Sequence, residues 1–408
     1  MGQILSGSVI GQGVVLLGSP LLTRLYTPSD FGTLAVVTST TAIIGAVVTL
    51  GLERAVPLPR SDTGAHALAQ SAAASLVVCS IVVALVAYLG RGELVERFSA
   101  PALADLWWVI PCGAAAIGVQ RVVAALLTRS RAYGRIAKRN ALQGIVQVAS
   151  GVVLAPTGAL GLMVAPTVGR LVASLGSGNR PRRDDGRGPV PLRVLRATLR
   201  RYRRFVWYTP GSALMNVVGQ QLPWLVIAAG QGVVVAGLVG LSVRVIATPV
   251  GVVAEAVAQS FAGQFAEGLR ATDRNLLPLV VRTSTRLLVP ALAGSVVVAV
   301  AGPELFALVF GESWRAAGEF ARLLVVVHAL QLVTSPVSQV LPLLERQATQ
   351  LSWDIGRTFL VTGGLVVAVS AGASTPLLLT TYVALAATAY AVLWVLVVTA
   401  ARRHDAAR

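Results

Sequence analysis

The chain has 408 residues, of which 55% are hydrophobic and only 12% are charged, and its mean hydropathy is +0.74. Soluble domains carry about 25% charged residues, so this composition excludes a soluble protein and predicts one with many membrane crossings. The formal net charge of +17 would suit a nucleic-acid-binding protein. Its distribution along the chain, described below, predicts no nucleic-acid partner.

Twelve apolar runs follow one another, separated by charged or turn-forming residues. Ala, Leu, Val and Gly dominate them without the alternation of barrel strands, so they predict transmembrane helices. The runs are 4–22, 31–50, 66–89, 106–127, 141–155, 159–175, 207–229, 233–252, 285–301, 321–341, 351–370 and 376–400. The predicted fold is an all-α integral membrane protein with about 12 transmembrane helices.

The longest connection divides the chain near its middle. Residues 176–191 are rich in Gly, Pro and Arg, which is typical of a flexible linker. Leu192, Leu195 and Leu199 then recur at helical spacing, and an arginine directly follows each of them. This pattern predicts an amphipathic basic helix on the inner leaflet. We therefore predict an N-terminal six-helix half at 1–175, a cytoplasmic basic linker at 176–206 and a C-terminal six-helix half at 207–408.

The two halves carry a faint internal repeat. The sequence SPLL at 19–22 resembles LPWL at 222–225, and Gly32 and Gly237 open the next run in each half. Parallel repeats of this kind place a binding site between the halves. The repeat therefore predicts two six-helix halves around a central cavity.

The arginines indicate the orientation. With an even number of spans, the side that holds both termini carries 26 of the 34 basic residues, and the opposite side carries 5. Because basic residues accumulate in cytoplasmic loops, both termini are predicted to be cytoplasmic. This asymmetry also accounts for most of the net charge.

The polar side chains indicate transport rather than catalysis. The only lysine, Lys138, is not in a nucleotide-binding loop, and the three histidines are far apart in sequence. We therefore predict no enzyme activity, cofactor or metal site. Charge inside the predicted spans is costly, which makes Arg244 and Arg121 candidate ligands for an anion. Asn216 and Gln220 are candidate partners for sugar hydroxyls.

Five motifs resemble one known family. They are SPLLTRLYTPSDFG at 19–32, GLERAVPLP at 51–59, YRRF at 202–205, GLVGLSVR at 237–244 and FGESWRAAG at 310–318. In this order they resemble the polysaccharide-biosynthesis flippases of the multidrug/oligosaccharidyl-lipid/polysaccharide exporter superfamily. The resemblance implies an undecaprenyl-diphosphate-linked oligosaccharide as substrate and the bacterial plasma membrane as location. It also implies that Arg24, Arg54 and Arg244 engage the diphosphate.

The resemblance further implies membrane lipids, a polysaccharide polymerase and glycosyltransferases as partners. A drug or metabolite exporter of the same fold is the alternative function. A membrane-embedded glycosyl or acyl transferase would need a reactive histidine or acidic cluster, which the sequence does not indicate. A scaffold protein is disfavoured by Arg244 and by the prolines within the spans.

Overall fold

A computed structural model describes residues 2–177, 190–270 and 275–406. These residues form α-helices and short 3₁₀ turns without any strand, which confirms the all-α prediction. The first eight helices are α1 Gly2–Leu25, α2 Pro28–Gly45, α3 Asp62–Leu89, α4 Arg91–Phe98, α5 Leu103–Leu106, α6 Val109–Arg129, α7 Tyr133–Val153 and α8 Ala159–Gly176. The others are α9 Leu192–Arg201, α10 Arg203–Arg270, α11 Leu277–Phe310, α12 Arg315–Thr334, α13 Val340–Leu343, α14 Gln347–Ser370 and α15 Thr375–Ala406. Four 3₁₀ turns lie at Leu52–Ala55, Ala155–Thr157, Glu312–Trp314 and Pro336–Gln339.

Seven helical segments of the described chain are long and apolar enough to cross a membrane. They are Asp62–Leu89, Val109–Arg129, Ala159–Gly176, Phe205–Arg270, Leu277–Phe310, Glu312–Leu343 and Thr375–Ala406. The segment Phe205–Arg270 contains the predicted seventh and eighth spans, which are separated at Gly232 (φ 80°, ψ 173°). A positive φ suits glycine because it has no Cβ. The protein is therefore a multi-pass membrane protein.

The predicted second and fifth spans differ from the helices. The second run was predicted to continue to residue 50, but α2 ends at Gly45 and the chain then turns through Leu50 (φ 50°) and Gly51 (φ 69°). The fifth run was predicted to begin at residue 141, but α7 begins at Tyr133. Its first turns carry polar residues whose partners lie within the bundle, and hydropathy alone does not reveal them.

The chain forms two compact units, Met1–Gly237 and Leu238–Arg408. The first unit extends through the seventh predicted span and the opening of the eighth. The predicted boundaries of the six-helix halves, at 175 and 207, stay a prediction.

In the first unit, α1 packs against α7 through glycines. A Cβ at Gly7 would collide with Ala137, and one at Gly11 would collide with the backbone of Asn140. Gly144 on α7 faces Gly11 in the same way. Small residues spaced by four let the backbones of membrane helices approach closely. This contact holds the first span against the fifth.

The second span lies alongside the seventh and the start of the eighth. The Ser39 hydroxyl donates to Gln221 Oε1 at 3.0 Å. At one end, a Cβ at Gly32 would collide with the carbonyl oxygen of Val233, and at the other end Gly51 lies against Thr209. As residue numbers rise from Gly32 to Gly51, those of the contacted residues fall from Val233 to Thr209. The second and seventh spans are therefore antiparallel neighbours.

The basic helix α9 packs on the protein. Leu199, Tyr202 and Phe205 are partly buried against a core cluster that includes Leu52 and Leu68. We expected the apolar face of this helix to rest on the lipid, but much of it covers α3 and the turn at Leu52–Ala55. Among the large apolar side chains of this helix, only Leu192, at its start, is largely exposed (67%).

The second unit is built around α12 and α15. The buried Ser242 hydroxyl donates to the carbonyl oxygens of Leu238 and of Ala317, the latter at 2.6 Å, and so joins the eighth span to α12. The indole nitrogen of Trp353 on α14 donates to the carbonyl oxygen of Ala389 on α15 at 2.8 Å. Polar groups in this unit therefore connect helices within the membrane.

Candidate functional site

The candidate residues Arg24 and Arg54 lie at opposite ends of the second span. Arg24 is in the last turn of α1, just before α2, and Arg54 is in the 3₁₀ turn Leu52–Ala55 after it. Both side chains are exposed. The intervening α2 has 18 residues and is therefore about 27 Å long. The structure thus does not bring these two arginines together around one diphosphate.

Arg121 caps the end of α2. This half-buried side chain on α6 donates from Nη1 to the carbonyl oxygen of Ala46 at 3.1 Å, immediately after the last helical residue, Gly45. Carbonyl groups at a helix C-terminus lack intrahelical donors, and a cation there is also favoured by the helix dipole. Arg121 therefore has a structural partner, and its predicted role as a substrate ligand stays a prediction.

Glu53 places a carboxylate beside this arginine. Its side chain is only 6% exposed and accepts a hydrogen bond from Thr49 Oγ1 at 2.7 Å. Glu53 and Arg54 both act electrostatically on Arg121. In the sequence, Glu53 follows the second apolar run, 31–50, so hydropathy alone does not place it inside the protein. The 3₁₀ turn folds it back into the protein after a reversal in which both Leu50 and Gly51 have positive φ. Of these two residues only Gly51 is typical of such a turn, so the sequence signal is weak.

Asn216 and Gln220 form a polar pair on the seventh span. Gln220 Nε2 donates to Asn216 Oδ1 at 2.7 Å, one helical turn away, and both side chains are exposed. The neighbouring Gln221 is half-buried and accepts from Ser39 of the second span. The seventh span therefore uses one glutamine for packing and presents an amide pair on another face.

Two further arginines lie inside the first unit. Arg139 on α7 is only 6% exposed, and its guanidinium donates to the carbonyl oxygen of Gln120 at 3.1 Å and to Asn140 Oδ1 at 2.8 Å. Arg139 precedes the fifth run, which was predicted to begin at residue 141, but it lies within α7, which begins at Tyr133. Arg170 on α8 is half-buried, in agreement with its predicted position within the sixth span.

Arg244 lies on the eighth span, in the second unit. It is half-buried and interacts with a neighbouring group of the protein. Ser242, two residues earlier, faces α12. Since a helix turns about 100° per residue, the Arg244 side chain leaves the helix on the side away from that contact. Its predicted role as a diphosphate ligand stays a prediction.

The sequence matches one family over most of its length. The profile of the family described as "Polysaccharide biosynthesis protein" matches residues 21–319. The chain belongs to this family. The match includes Arg24, Arg54, Arg121, Asn216, Gln220 and Arg244. A comparison with curated proteins found no match.

Solved transporter structures share its fold. The inward-closed lipid II flippase MurJ aligns with 96% of this chain and 84% of its own, with a TM-score of 0.68 and 11% identity. An inward-facing multidrug-resistance MATE transporter aligns with 99% of this chain and 95% of its own, with a TM-score of 0.61 and 16% identity. A transporter from Pyrococcus furiosus described as having a binding pocket of reverse polarity gives the same TM-score, identity and coverage. This member of the polysaccharide biosynthesis family therefore has the fold of MOP-superfamily transporters and flippases.

Proposed function

We propose that this protein is a flippase that moves undecaprenyl-diphosphate-linked oligosaccharide from the cytoplasmic to the outer leaflet of a bacterial plasma membrane. The observation that carries the proposal is the combination of the family match with exposed arginines at both ends of the second span. That span lies beside a seventh span that presents the amide pair Asn216–Gln220.

The chemistry of the side chains fits the two parts of such a head group. A guanidinium remains charged at any physiological pH and can hold phosphate oxygens two at a time. The amides of Asn216 and Gln220 both donate and accept hydrogen bonds, as sugar hydroxyls do. Arg24 and Arg54 are too far apart to grip one diphosphate together. We therefore propose that they contact the head group in succession, Arg24 at one face of the membrane and Arg54 at the other, and that Arg244 also contacts it.

No bond in the substrate needs to be made or broken in this process. The head group passes through the protein by alternating access while the polyprenyl tail stays in the lipid. The proposal includes cytoplasmic termini, and a polysaccharide polymerase and glycosyltransferases as the proteins that consume and supply the substrate.

The decisive experiment measures lipid-linked oligosaccharide on the inner leaflet of cells in which this protein is the only flippase. Depletion of the protein should cause the substrate to accumulate there, and the Arg54→Ala variant should restore transport poorly at matched abundance. A strain that exports the substrate normally without the protein would contradict the proposal.

The second candidate is a drug or metabolite exporter, which the similarity to MATE transporters over nearly the whole chain favours. Growth of the depleted strain in a panel of cationic drugs separates the two functions. An exporter predicts increased drug sensitivity with normal surface polysaccharide, whereas a flippase predicts the opposite pattern.

Orientation is tested by cysteine labelling after replacement of Cys79 and Cys112. Single cysteines at positions 187 and 408 should react only from the cytoplasm, and those at 311 and 374 only from outside. Labelling of position 187 from outside would contradict the proposed topology.

A further inference from the structure

A crevice of about 590 Å³ lies in the first unit between α2, α3 and the short helix α4. Binding sites for small molecules have volumes of about 300–1,000 Å³, so it is large enough to hold part of a lipid. Ile44 of α2, Val82 and Val86 of α3 and Phe98 of α4 line it. The lining also includes three polar side chains, namely Thr40, Glu93 and Arg97.

The crevice opens towards the side of α3 that faces outward. Val82 and Val86 line the crevice and are nevertheless more than half exposed, as are Ile81 and Leu85 beside them. Because α3 is one of the membrane-crossing segments, an apolar exposed face on it contacts hydrocarbon. A lipid chain can therefore enter the crevice from the bilayer.

One end of the crevice lies at the level of the lipid head groups. Tyr88 and Trp107 meet edge to face, with ring centroids 5.3 Å apart, and the guanidinium of Arg91 lies 4.7 Å from the centre of the Tyr88 ring. Tyrosine and tryptophan are enriched at the interface between membrane and water. Helix α4 begins here, with Leu94 and Phe98 packed on the protein and its charged side chains exposed, as in an interfacial helix.

Glu93 and Arg97 carry opposite charges at this end. They are one helical turn apart on α4, both line the crevice and both are exposed. Within the described part of the chain, neither forms an ion pair. A carboxylate and a guanidinium without an ion-pair partner are thus available at the mouth of an apolar crevice.

We propose that this crevice binds one hydrocarbon chain of a zwitterionic aminophospholipid such as phosphatidylethanolamine. Arg97 contacts the lipid phosphate and Glu93 contacts its ammonium group. The charges favour this lipid over the other membrane components: phosphatidylglycerol has no ammonium for Glu93, and the diphosphate of a polyprenyl carrier is repelled by it. The bound chain contacts α2 at Thr40, next to the Ser39 that joins α2 to the seventh span, and so supports that contact.

The test uses the full-length protein in nanodiscs that contain equal amounts of phosphatidylethanolamine and phosphatidylglycerol, with retained lipids counted by native mass spectrometry. Val86→Trp fills the crevice, and Leu85→Trp is the matched control because Leu85 is similarly exposed but does not line it. We expect Val86→Trp to reduce retained phosphatidylethanolamine about tenfold, as the loss of a buried hydrocarbon segment requires, and Leu85→Trp to change it less than about twofold.

The two charged residues are tested by replacing each with a neutral glutamine. Glu93→Gln should abolish the preference for phosphatidylethanolamine over phosphatidylglycerol, and Arg97→Gln should reduce retention of both lipids about fivefold, as expected for the loss of a charged hydrogen bond. Retention that Val86→Trp leaves unchanged would overturn the proposal. So would a wild-type preference for phosphatidylglycerol, or for undecaprenyl phosphate added to the same nanodiscs.

Discussion

Replacing Arg121 with methionine separates a structural role for this residue from a role in substrate binding. Methionine keeps much of the length of the side chain but removes the donor that caps the carbonyl oxygen of Ala46. A hydrogen bond from a charged group contributes about 1.5–3 kcal/mol. Each kcal/mol shifts the Tm of a protein of 150–250 residues by roughly 2–4 °C, and the first unit, Met1–Gly237, falls in this size range. We therefore expect the Tm to fall by roughly 3–12 °C.

The assay combines thermal unfolding in detergent with transport at matched protein abundance, and Arg54→Met is the control. Arg54 is exposed, so its replacement should change the free energy of unfolding by less than about 0.5 kcal/mol while reducing transport. Because Glu53 lies in the field of Arg121, Glu53→Gln combined with Arg121→Met should restore part of the lost stability. If Arg121→Met instead kept the wild-type Tm and lost as much transport as Arg54→Met, the capping role would be refuted and Arg121 would be a ligand.

Arg244→Ala should abolish transport while the protein remains inserted, and Arg244→Lys should retain partial activity because it keeps the charge but not the planar fork of donors. Replacing Asn216 and Gln220 together with alanine should reduce transport of the full oligosaccharide more than that of the bare polyprenyl diphosphate, since only the former presents hydroxyls. An inside-negative potential drives anions outward by about 2.3 kcal/mol per charge per 100 mV, so its collapse in proteoliposomes should slow outward movement of the diphosphate. Gly32→Val should reduce protein abundance, because a side chain there collides with the Val233 carbonyl oxygen.

Each of these expectations has a contrary outcome. Normal transport by Arg244→Ala would remove this residue from the site, and equal losses for both substrates would remove the amide pair. Restoration of transport by ATP alone, in vesicles without a potential, would exclude a potential-driven flippase. Normal abundance of Gly32→Val would show that α2 can shift away from the eighth span.

The order of the helices was largely predictable from hydropathy, because each membrane crossing needs its own apolar run. The polar segments next to the runs were not. Arg139 precedes the predicted fifth run, yet it lies within α7, where its buried guanidinium donates to Gln120 and Asn140. Gln120 is 19 residues away in the sequence, and the packing of α6 against α7 brings it to Arg139. A hydropathy profile contains no information about such contacts between helices.

The candidate site was predicted less completely than the fold. The sequence singled out Arg54 and Arg121, and the structure places Arg54 within electrostatic range of Arg121. The sequence did not reveal that Glu53 lies near Arg121 as well. Glu53 reaches this position because the chain reverses at Leu50 and Gly51, which both have positive φ. The predicted run 31–50 had already placed Arg24 and Arg54 at opposite ends of the second span, where they lie in the structure.

The contacts of Gly32 and Gly237 have a consequence for how related sequences can diverge. A side chain at Gly32 would meet the backbone of Val233, and one at Gly237 would meet the backbone of Pro28. An enlarged residue next to a side chain can be accommodated when its neighbour becomes smaller, whereas a carbonyl group cannot shrink. No second substitution compensates at these two positions, so they should stay glycine without a covarying partner while other faces of the second and seventh spans diverge.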